Sequence, residues 1–387
     1  MRLLSNTHIP FLKYKWYWIG LSLLLIAVGV GSIGLGPGLK LGIDFSGGTQ
    51  LTLKVVQEPD LAKLRHALES TKLGEVSIQR FDEPERHEFL VRVQNPQREG
   101  DFTQEMLDAL DKEFNDTASK VRLNLQGSET LRDELVEADP DHVGGTVDAR
   151  RTHYQPMAEA VLALRKQLGI FSGPADLEQV KELSPAVRTY LSKSADFGDF
   201  SLLGADNVGP LVGRDLRNKA MQAIFFSLIG MLVYIWFRFK LPYGIGAVTA
   251  LFHDVLITLG ALSLTQREIN LPTIAALLTL VGYSVNDTVV IFDRIRERAK
   301  LDRGKTLPDI MDQAINQTLS RTVITSGLTL LVVLALYLFG GDVINTFAFV
   351  LLVGIIVGTY SSIYIASPIA LGFTKLFERR KQTKRRR

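Results

Sequence analysis

Residues 271–292 read LPTIAALLTLVGYSVNDTVVIF, and this stretch decides the class of fold. A helix needs about 20 mostly apolar residues to cross the hydrocarbon core of a bilayer. The stretch supplies that length, and Asp287 is the one charged side chain within it. It therefore predicts a transmembrane helix that carries a carboxylate inside the membrane.

Five further stretches have the length and apolar composition of a membrane span. They are residues 16–35, 220–237, 243–264, 322–339 and 344–373. The first follows Lys13 and Lys15 as a signal peptide would, but it is long, rich in glycine and without a clear cleavage site. We therefore predict an uncleaved anchor at 16–35 and helices two to six within 218–375. The last stretch is too long for one straight span and is expected to continue as an interfacial helix.

The short loops differ in their content of Lys and Arg, which sets the orientation of membrane helices. Basic side chains occur in the tail 1–15, the turn 238–240, the loop 293–305 and the tail 376–387. The opposite loops carry Arg267 beside Glu268 and, at 340–342, no basic residue. Six spans with both termini in the cytoplasm satisfy every loop, which places the long segment 36–217 outside.

This outer segment differs from the rest of the chain in charge. Residues 40–217 hold 31 acidic against 22 basic side chains, a net of −9, and the remainder holds 10 against 22, a net of +12. The whole chain is near neutral at +3, which argues against a nucleic-acid-binding protein. Cysteine is absent, which excludes disulfides and thiolate metal sites. Without a phosphate-binding loop, a nucleophile elbow or a metal-ligand spacing, the sequence does not predict an enzyme.

The apolar pattern of the outer segment predicts an α+β fold. Four strands are predicted by alternation, at 51–56, 76–81, 88–94 and 121–126, and two helices by helical spacing, at 58–73 and 102–114. The order βαββαβ is that of a ferredoxin-like domain, here at 50–127. Helical patterns at 130–138, 157–169 and 177–193 predict a helical insertion over 128–200, whose role the sequence leaves open.

Two carboxylates lie within predicted spans, where an ionisable group is costly and by default marks an ion or substrate pathway. Asp254 follows His253 in the third span, and Asp287 lies in the fourth. Tyr283 and Asp287 are four residues apart and hence on one helical face, with Asn286 adjoining. These residues are candidates for proton coupling.

Arg321, near the start of the fifth span, could reach Asp287 if that carboxylate lies in the inner part of its helix. The pair would form a proton switch in which protonation of Asp287 releases the arginine, because arginine does not lose its own proton. Alternatives stay open: Arg321 could snorkel from the helix end, and Asp287 could bond helices together. Asp254 and His253 could equally form an internal hydrogen bond.

Four motifs resemble those of the SecF family and occur in the family's order. They are GIDFSGGT at 42–49, VGPLVGRDL at 208–216, YSVNDTVVIFDRIRE at 283–297 and SRTVITS at 320–326. With the six spans, the resemblance covers almost the whole chain. It implies six transmembrane helices arranged like half of an RND-superfamily transporter, with a ferredoxin-like exported domain between helices 1 and 2. It also implies a bacterial inner membrane, with the large domain in the periplasm.

The resemblance also implies partners. A SecF-family chain is expected to act with SecD, near the SecYEG channel and the SecA motor, on unfolded preprotein in transit. Protons are the implied coupling ion, no cofactor is implied, and membrane lipid is the remaining expected partner. Asp287 and Arg321 match the family's intramembrane acidic and basic positions. Asp44, Gly47 and Gly48 match the hinge between the first span and the domain, where glycine accepts backbone angles closed to other residues.

The chain departs from the family pattern in the length of its exported domain. The surplus falls in 128–200, to which the resemblance assigns no role. Two other functions stay open, namely half of an RND-like exporter of small molecules or lipids and an assembly subunit that transports nothing. The small residues Gly354, Gly358 and Ser362 are predicted to form a helix-packing face.

Overall fold

The computed structural model describes residues 7–56, 60–81, 87–94, 100–114, 121–302 and 304–385. These residues form two compact units. One unit is Ile43–Asp215, and the other combines the described residues up to Gly42 with those from Leu216 onward. The division follows the charge boundary in the sequence, since the acidic segment forms one unit and the apolar spans form the other.

The elements of the Ile43–Asp215 unit follow α1 (Lys15–Gly34) along the chain and end within the first turns of α8 (Pro210–Arg238). The next are α2 (Ile43–Ser46), β1 (Gly48–Val55), α3 (Leu61–Ser70), β2 (Glu75–Phe81), β3 (Glu88–Gln94), α4 (Thr103–Phe114), β4 (Val121–Arg122), α5 (Ser128–Ala138), α6 (Val147–Leu168), α7 (Pro185–Ser194), β5 (Ala195–Asp196) and β6 (Phe200–Val208). The last are α8 (Pro210–Arg238), α9 (Leu241–Leu264), α10 (Leu271–Leu301), α11 (Leu307–Phe339), α12 (Gly341–Ser361) and α13 (Ser367–Arg385).

Six helical stretches in the described part of the chain are long and apolar enough to cross a membrane. They are Phe11–Gly34, Pro210–Arg238, Leu241–Leu264, Leu271–Leu301, Leu307–Phe339 and Ile344–Arg379. The predicted fold class, six membrane helices with a sheet-containing domain between the first two, is confirmed. Proline lies in the first turn of four of these helices, where its missing N–H is no loss.

Several helices extend well beyond the predicted spans, and α8, for example, begins at Pro210 instead of at 220. The fourth was predicted to end at 292 and the fifth to begin at 322, whereas α10 continues to Leu301 and α11 begins at Leu307. Ion pairs at helical spacing support the extension of α10, such as Arg294 with Glu297 at 2.6 Å. Charged residues end a membrane span without ending the helix. The sixth stretch is divided by a π-helical turn at Ser362–Ala366.

The Ile43–Asp215 unit, called the outer unit below, contains a four-stranded antiparallel sheet in the order β2-β3-β1-β6. Helices α3 and α4 cover one face, and their apolar side chains form a core with the inward residues of the strands. The element order β1-α3-β2-β3-α4-β6 is the split ferredoxin-like arrangement. Because β1 and β6 are neighbours, paired from Gly48–Val208 to Val55–Phe200, the chain enters and leaves the sheet side by side.

The prediction of the fourth strand at 121–126 was wrong. Only Val121–Arg122 is extended there, and a turn follows in which the Leu125 N–H donates to the Arg122 carbonyl at 3.0 Å. Leu123 and Leu125 pack into two different cores, which is why their alternation resembled a strand. The fourth strand is β6, whose own alternation is interrupted by a bulge opposite Thr52 and Leu53.

The predicted helical insertion therefore interrupts the ferredoxin-like fold before its last strand. Helices α5, α6 and α7 surround a separate apolar core that includes the fully buried Tyr154. Asn124 connects the insertion to the sheet. Its side-chain amide pairs with the backbone of Phe171, and its backbone carbonyl accepts the Leu202 N–H at 2.8 Å. The buried Arg165 donates to the carbonyls of Leu123 and Gln126, at 2.7 and 2.8 Å. These bonds tie α6 to the turn after β4 and, through Leu202, connect that turn to β6.

Candidate functional site

Asp254 lies at the centre of a hydrogen-bonded cluster that joins three membrane helices. Its side chain is 0% exposed. Its Oδ1 pairs with Nδ1 of His253 at 2.8 Å. Its Oδ2 accepts hydrogen bonds from Ser284 Oγ of α10 at 2.5 Å and from Ser361 Oγ of α12 at 2.9 Å. A carboxylate can accept all three, so the cluster stabilises a group that is otherwise costly to bury in a membrane.

The same cluster reaches a fourth helix through His253. The Nε2 atom of His253 lies 3.2 Å from the Tyr360 hydroxyl, which in turn lies 3.2 Å from Ser22 Oγ on α1. His253 and Ser22 are both buried. The sequence predicted Asp254 and His253 but not the hydroxyl side chains around them, because isolated hydroxyls in apolar helices carry no pattern that identifies their partners. These are Ser22, Ser284, Tyr360 and Ser361.

Small residues on α12 allow the close helix approach that this cluster needs. A Cβ atom added at Gly354 would lie 2.4 Å from Leu280 Cδ1, and one added at Gly358 would lie 3.4 Å from Asp254 Oδ2. The predicted packing face at Gly354 and Gly358 agrees with this contact. This predicted face was thus the sequence feature that indicated a close contact of α12 with the helices that carry Asp254 and Ser284.

Asp287 has a sparser environment than Asp254. Asn270 caps the start of α10 by accepting the Thr273 N–H at 3.0 Å, and the helix then carries Asp287 to α11. There its Oδ2 accepts a hydrogen bond from Ser326 Oγ at 3.1 Å, and the side chain is 4% exposed. Among the described residues, Ser326 is the one hydrogen-bond donor to this carboxylate. Asp287 is thus a buried acid with spare acceptor capacity.

Tyr283, Asn286 and Arg321, which were predicted for the same site, form no hydrogen bond to Asp287 within the described residues. Asn286 and Arg321 are both exposed, and within the described helices Arg321 forms no ion pair with Asp287. Tyr283 is half-buried, and its hydroxyl is buried with no partner among the described residues. The structure thus brings Asp287 to Ser326 and leaves Arg321 on the outer surface of α11.

The predicted hinge residues lie at the start of the sheet. Gly47 and Gly48 have φ values of 76° and 130°, a region that favours glycine. A Cβ atom at Gly47 would lie 2.9 Å from Pro210 Cα, and one at Gly48 would lie 2.4 Å from the Val93 carbonyl oxygen. Asp44 lies in the short helix α2, one turn earlier. The two glycines therefore allow the chain to pass closely between β3 and the start of α8.

The electrostatics of this junction involve Arg92 of β3. Burial lowers the pKa of Arg92 to about 10, and the charge of Asp44 opposes that shift. The Arg92 Nε donates to Gln50 Oε1 at 2.5 Å, next to the first residues of β1. Nowhere in the described part of the chain do three or more metal-ligating side chains come together.

Comparison with known proteins places these features in a family. The family described as "Protein export membrane protein SecD/SecF, C-terminal" matches residues 187–376, and the "SecD/SecF GG Motif" family matches residues 33–58. The "Protein translocase subunit SecF" of Koribacter versatilis (strain Ellin345) is 42% identical over 96% of this chain and 93% of its own length. The chain belongs to the SecF family. The SecF protein of Vibrio alginolyticus is 36% identical over 86% of this chain and 80% of its own length.

The SecF relationship extends to solved structures. The crystal structure of SecDF, a translocon-associated membrane protein from Thermus thermophilus, matches with a TM-score of 0.67 and 30% identity over 97% of this chain. This SecF-family chain spans 40% of that SecDF chain. The two family matches contain the candidate side chains: Asp254, Asp287 and Arg321 lie in the first, and Gly47 and Gly48 in the second. The protein is accordingly a multi-pass membrane protein of the translocase-subunit class.

Proposed function

We propose that this chain acts with a SecD partner to use the proton gradient for translocation of unfolded preproteins across the bacterial inner membrane. In this proposal both termini are cytoplasmic, the Ile43–Asp215 unit is periplasmic, and the complex works beside the SecYEG channel and the SecA motor. Protons are the coupling ion. The observation that carries the proposal is Asp287, a buried intramembrane carboxylate with one neutral hydrogen-bond donor among the described residues.

Exposed polar groups near Asp287 support the requirement for a partner. Asn286 and Arg321 lie on the outer surface of α10 and α11. Hydrocarbon offers such groups no hydrogen bonds, so polar side chains at membrane depth usually face protein or a water-filled space. A second helical unit would supply that cover, and the SecDF chain from Thermus thermophilus is more than twice as long as the part that this chain matches.

In the proposed cycle, Asp287 alternates between two partners. When protonated it is neutral and stays against Ser326, where burial costs little. When ionised it attracts Arg321, the nearby cation on α11, because an unpaired charge is strongly disfavoured in a dry environment. Arginine keeps its proton throughout, so the carboxylate is the group that binds and releases the coupling proton. Each cycle therefore shifts α10 relative to α11.

The connection between α1 and the outer unit provides a route for that shift. The Gly42 N–H donates to the Ile269 carbonyl and the Ile269 N–H donates to the Lys40 carbonyl, each at 2.8 Å. Lys40 also pairs with Glu268 at 3.0 Å. The segment before Ile43 is thus attached to the loop that begins α10. A movement of α10 would be passed to this segment and, through Gly47 and Gly48, to the exported domain.

Export by inverted membrane vesicles tests the proposal. Vesicles lacking their own SecD and SecF would receive this chain, a SecD partner, or both, and export of a preprotein would be measured with and without a proton gradient. We expect a gradient-dependent increment only when both chains are present, and its loss on addition of an uncoupler. A full increment from this chain alone contradicts the need for SecD. A stable complex without any increment favours an assembly subunit.

A further inference from the structure

A polar cavity of about 680 Å³ lies beside the N-terminal segment of the membrane unit. Its walls come from residues 7–10, from the C-terminal part of α10 and from the first turns of α11. The N-terminal segment is fixed there by paired hydrogen bonds, since the Ile9 N–H donates to Asn316 Oδ1 at 3.0 Å and Asn316 Nδ2 donates to the Ile9 carbonyl at 2.9 Å. The Leu12 N–H donates to Asp312 at 2.9 Å. The cavity is therefore a built feature of the fold.

Two arginines on one face of α10 converge in this cavity. The Nε atoms of Arg294 and Arg298 both donate to the same acceptor, Gln317 Oε1, at 2.7 and 3.1 Å. Their Nη1 atoms face Glu297 at 2.6 Å and Asp302 at 3.5 Å. Among the described residues, the Nη2 group of each arginine has no hydrogen-bond partner. Two guanidinium forks held side by side with free donors are suited to a tetrahedral oxyanion.

Other groups on the cavity wall reinforce this preference. Lys305 adds a third cation, and the hydroxyl of Thr7 is buried with no partner among the described residues. Two carboxylates also line the cavity, but each is engaged: Asp312 accepts the Leu12 N–H, and Asp309 accepts the Thr306 hydroxyl at 2.5 Å. Because Glu297 and Asp302 also lie beside the arginines, the preference for an anion rests on the free Nη2 donors of Arg294 and Arg298 and not on an excess of positive charge.

The position of the cavity beside the N-terminal segment and α10 indicates the source of its ligand. The N-terminal segment continues through a turn at Phe11–Tyr14 into α1, and the exposed aromatic side chains Tyr14, Trp16 and Tyr17 lie at this junction with Lys13 and Lys15 beside them. Aromatic and basic residues of this kind are enriched at the headgroup level of a bilayer. The cavity lies next to this belt, at the end of α10 where the apolar span gives way to charged residues.

We propose that this cavity binds the phosphate of an anionic phospholipid headgroup through Arg294 and Arg298. The Nη2 groups of the two arginines donate to the phosphate oxygens, and the Thr7 hydroxyl and Lys305 complete the contacts. Basic pockets between membrane helices are a recognised form of anionic-lipid site. The bound lipid links the N-terminal segment, α10 and α11 at the membrane surface. This inference does not depend on proton coupling.

Native mass spectrometry of the full-length chain in detergent tests the proposal. Phosphatidylglycerol would be added at limiting concentration, with diacylglycerol of the same acyl chains as the probe that lacks a phosphate. The test variant combines Arg294→Gln with Arg298→Gln. Its matched control combines Arg296→Gln with Lys300→Gln, which removes the same charge at the same spacing from exposed positions of α10 outside the cavity.

We expect the test variant to retain about tenfold less phosphatidylglycerol than the wild type, as expected from the loss of two charge-assisted contacts. The control should stay within about twofold, and diacylglycerol should bind no variant differently. Equal losses of lipid in the test and control variants would overturn the site.

A paired Arg294→Lys and Arg298→Lys variant keeps the charge but lacks the guanidinium fork. It should retain about threefold less phosphatidylglycerol than the wild type, and it provides a second test if the glutamine variant misfolds. If millimolar inorganic phosphate displaces the lipid fully and stabilises the chain alone, the ligand is a soluble phosphate and the lipid assignment is overturned.

Discussion

At the residue scale, Asp254 and Asp287 differ in the number of donors around their carboxylates. Asp254 has His253, Ser284 and Ser361, whereas Asp287 has Ser326. The sequence located both acids, because a carboxylate in an apolar stretch is visible without a structure. It could not separate them, since the donors come from helices distant in the chain. The contrast favours packing as the role of Asp254 and titration as the role of Asp287.

The Gly48→Ala variant tests the steric account of the hinge. The new Cβ would lie 2.4 Å from a carbonyl oxygen at a φ of 130°, so we expect a loss of about 3 kcal/mol in the stability of the outer unit. Thermal unfolding of the full-length chain, followed by limited proteolysis, measures this loss. Gly204→Ala in β6 is the control, because its Cβ meets no atom within 4 Å. Equal effects of the two variants would contradict the account.

Glu134 in the insertion predicts a pH dependence. Burial raises its pKa, although the hydrogen bond from Gln126 opposes the shift, and its Oε2 has no partner among the described residues. A raised pKa in the folded state means that this residue's contribution to stability falls as pH rises through that pKa.

Glu134→Gln removes this loss. At this half-buried site solvent screening limits the gain to about 0.5 kcal/mol, so the variant should unfold about 1–2 °C higher at pH 7 and show no gain at pH 4. Glu129→Gln, at an exposed position of the same helix, is the control. Thermal scans of both variants at the two pH values measure the difference, and a gain at pH 4 equal to that at pH 7 argues against the assignment.

At the scale of elements, the sequence predicted the type of most segments but not their pairing. The membrane helices, β1 to β3 and the first two helices of the domain follow from periodicity. The last strand does not follow from periodicity, because a bulge interrupts the alternation of β6. The alternation at 121–126 arises because its leucines pack into two different cores. Helix ends were also missed, since the end of hydrophobicity marks the membrane surface while α10 and α11 continue beyond it.

The cluster around Asp254 predicts how strongly α9, α10 and α12 depend on one side chain. Asp254→Ala removes three hydrogen bonds, and at roughly 0.6 kcal/mol for each bond within a membrane the loss is about 2 kcal/mol. Unfolding of the full-length chain in detergent by titrated denaturant measures it. Thr279→Ala on α10, an exposed position whose hydroxyl bonds to its own helix, is the control. A loss below about 0.5 kcal/mol would show that the cluster does not hold these helices together.

At the scale of the whole molecule, the order of motifs and spans pointed to the SecF family, and the comparisons confirm it. The predicted partner requirement has a physical basis in Asn286 and Arg321, which are exposed on a membrane helix surface. The sequence could not show this, because exposure depends on how six helices pack. The helical insertion is joined to β6 at Asn124, whose backbone carbonyl accepts hydrogen bonds from the Leu202 N–H and the Ser201 hydroxyl.

The central claim is that Asp287 binds the coupling proton. Gradient-dependent preprotein export in vesicles carrying this chain and its SecD partner tests it, with wild type compared with Asp287→Asn and complex abundance measured in parallel. Asp293→Asn is the control, because it makes the same change further along α10 at a half-buried residue paired with Arg238. The account predicts that Asp287→Asn removes the gradient-dependent increment at normal abundance while Asp293→Asn keeps most of it. An unchanged increment in Asp287→Asn would contradict the claim.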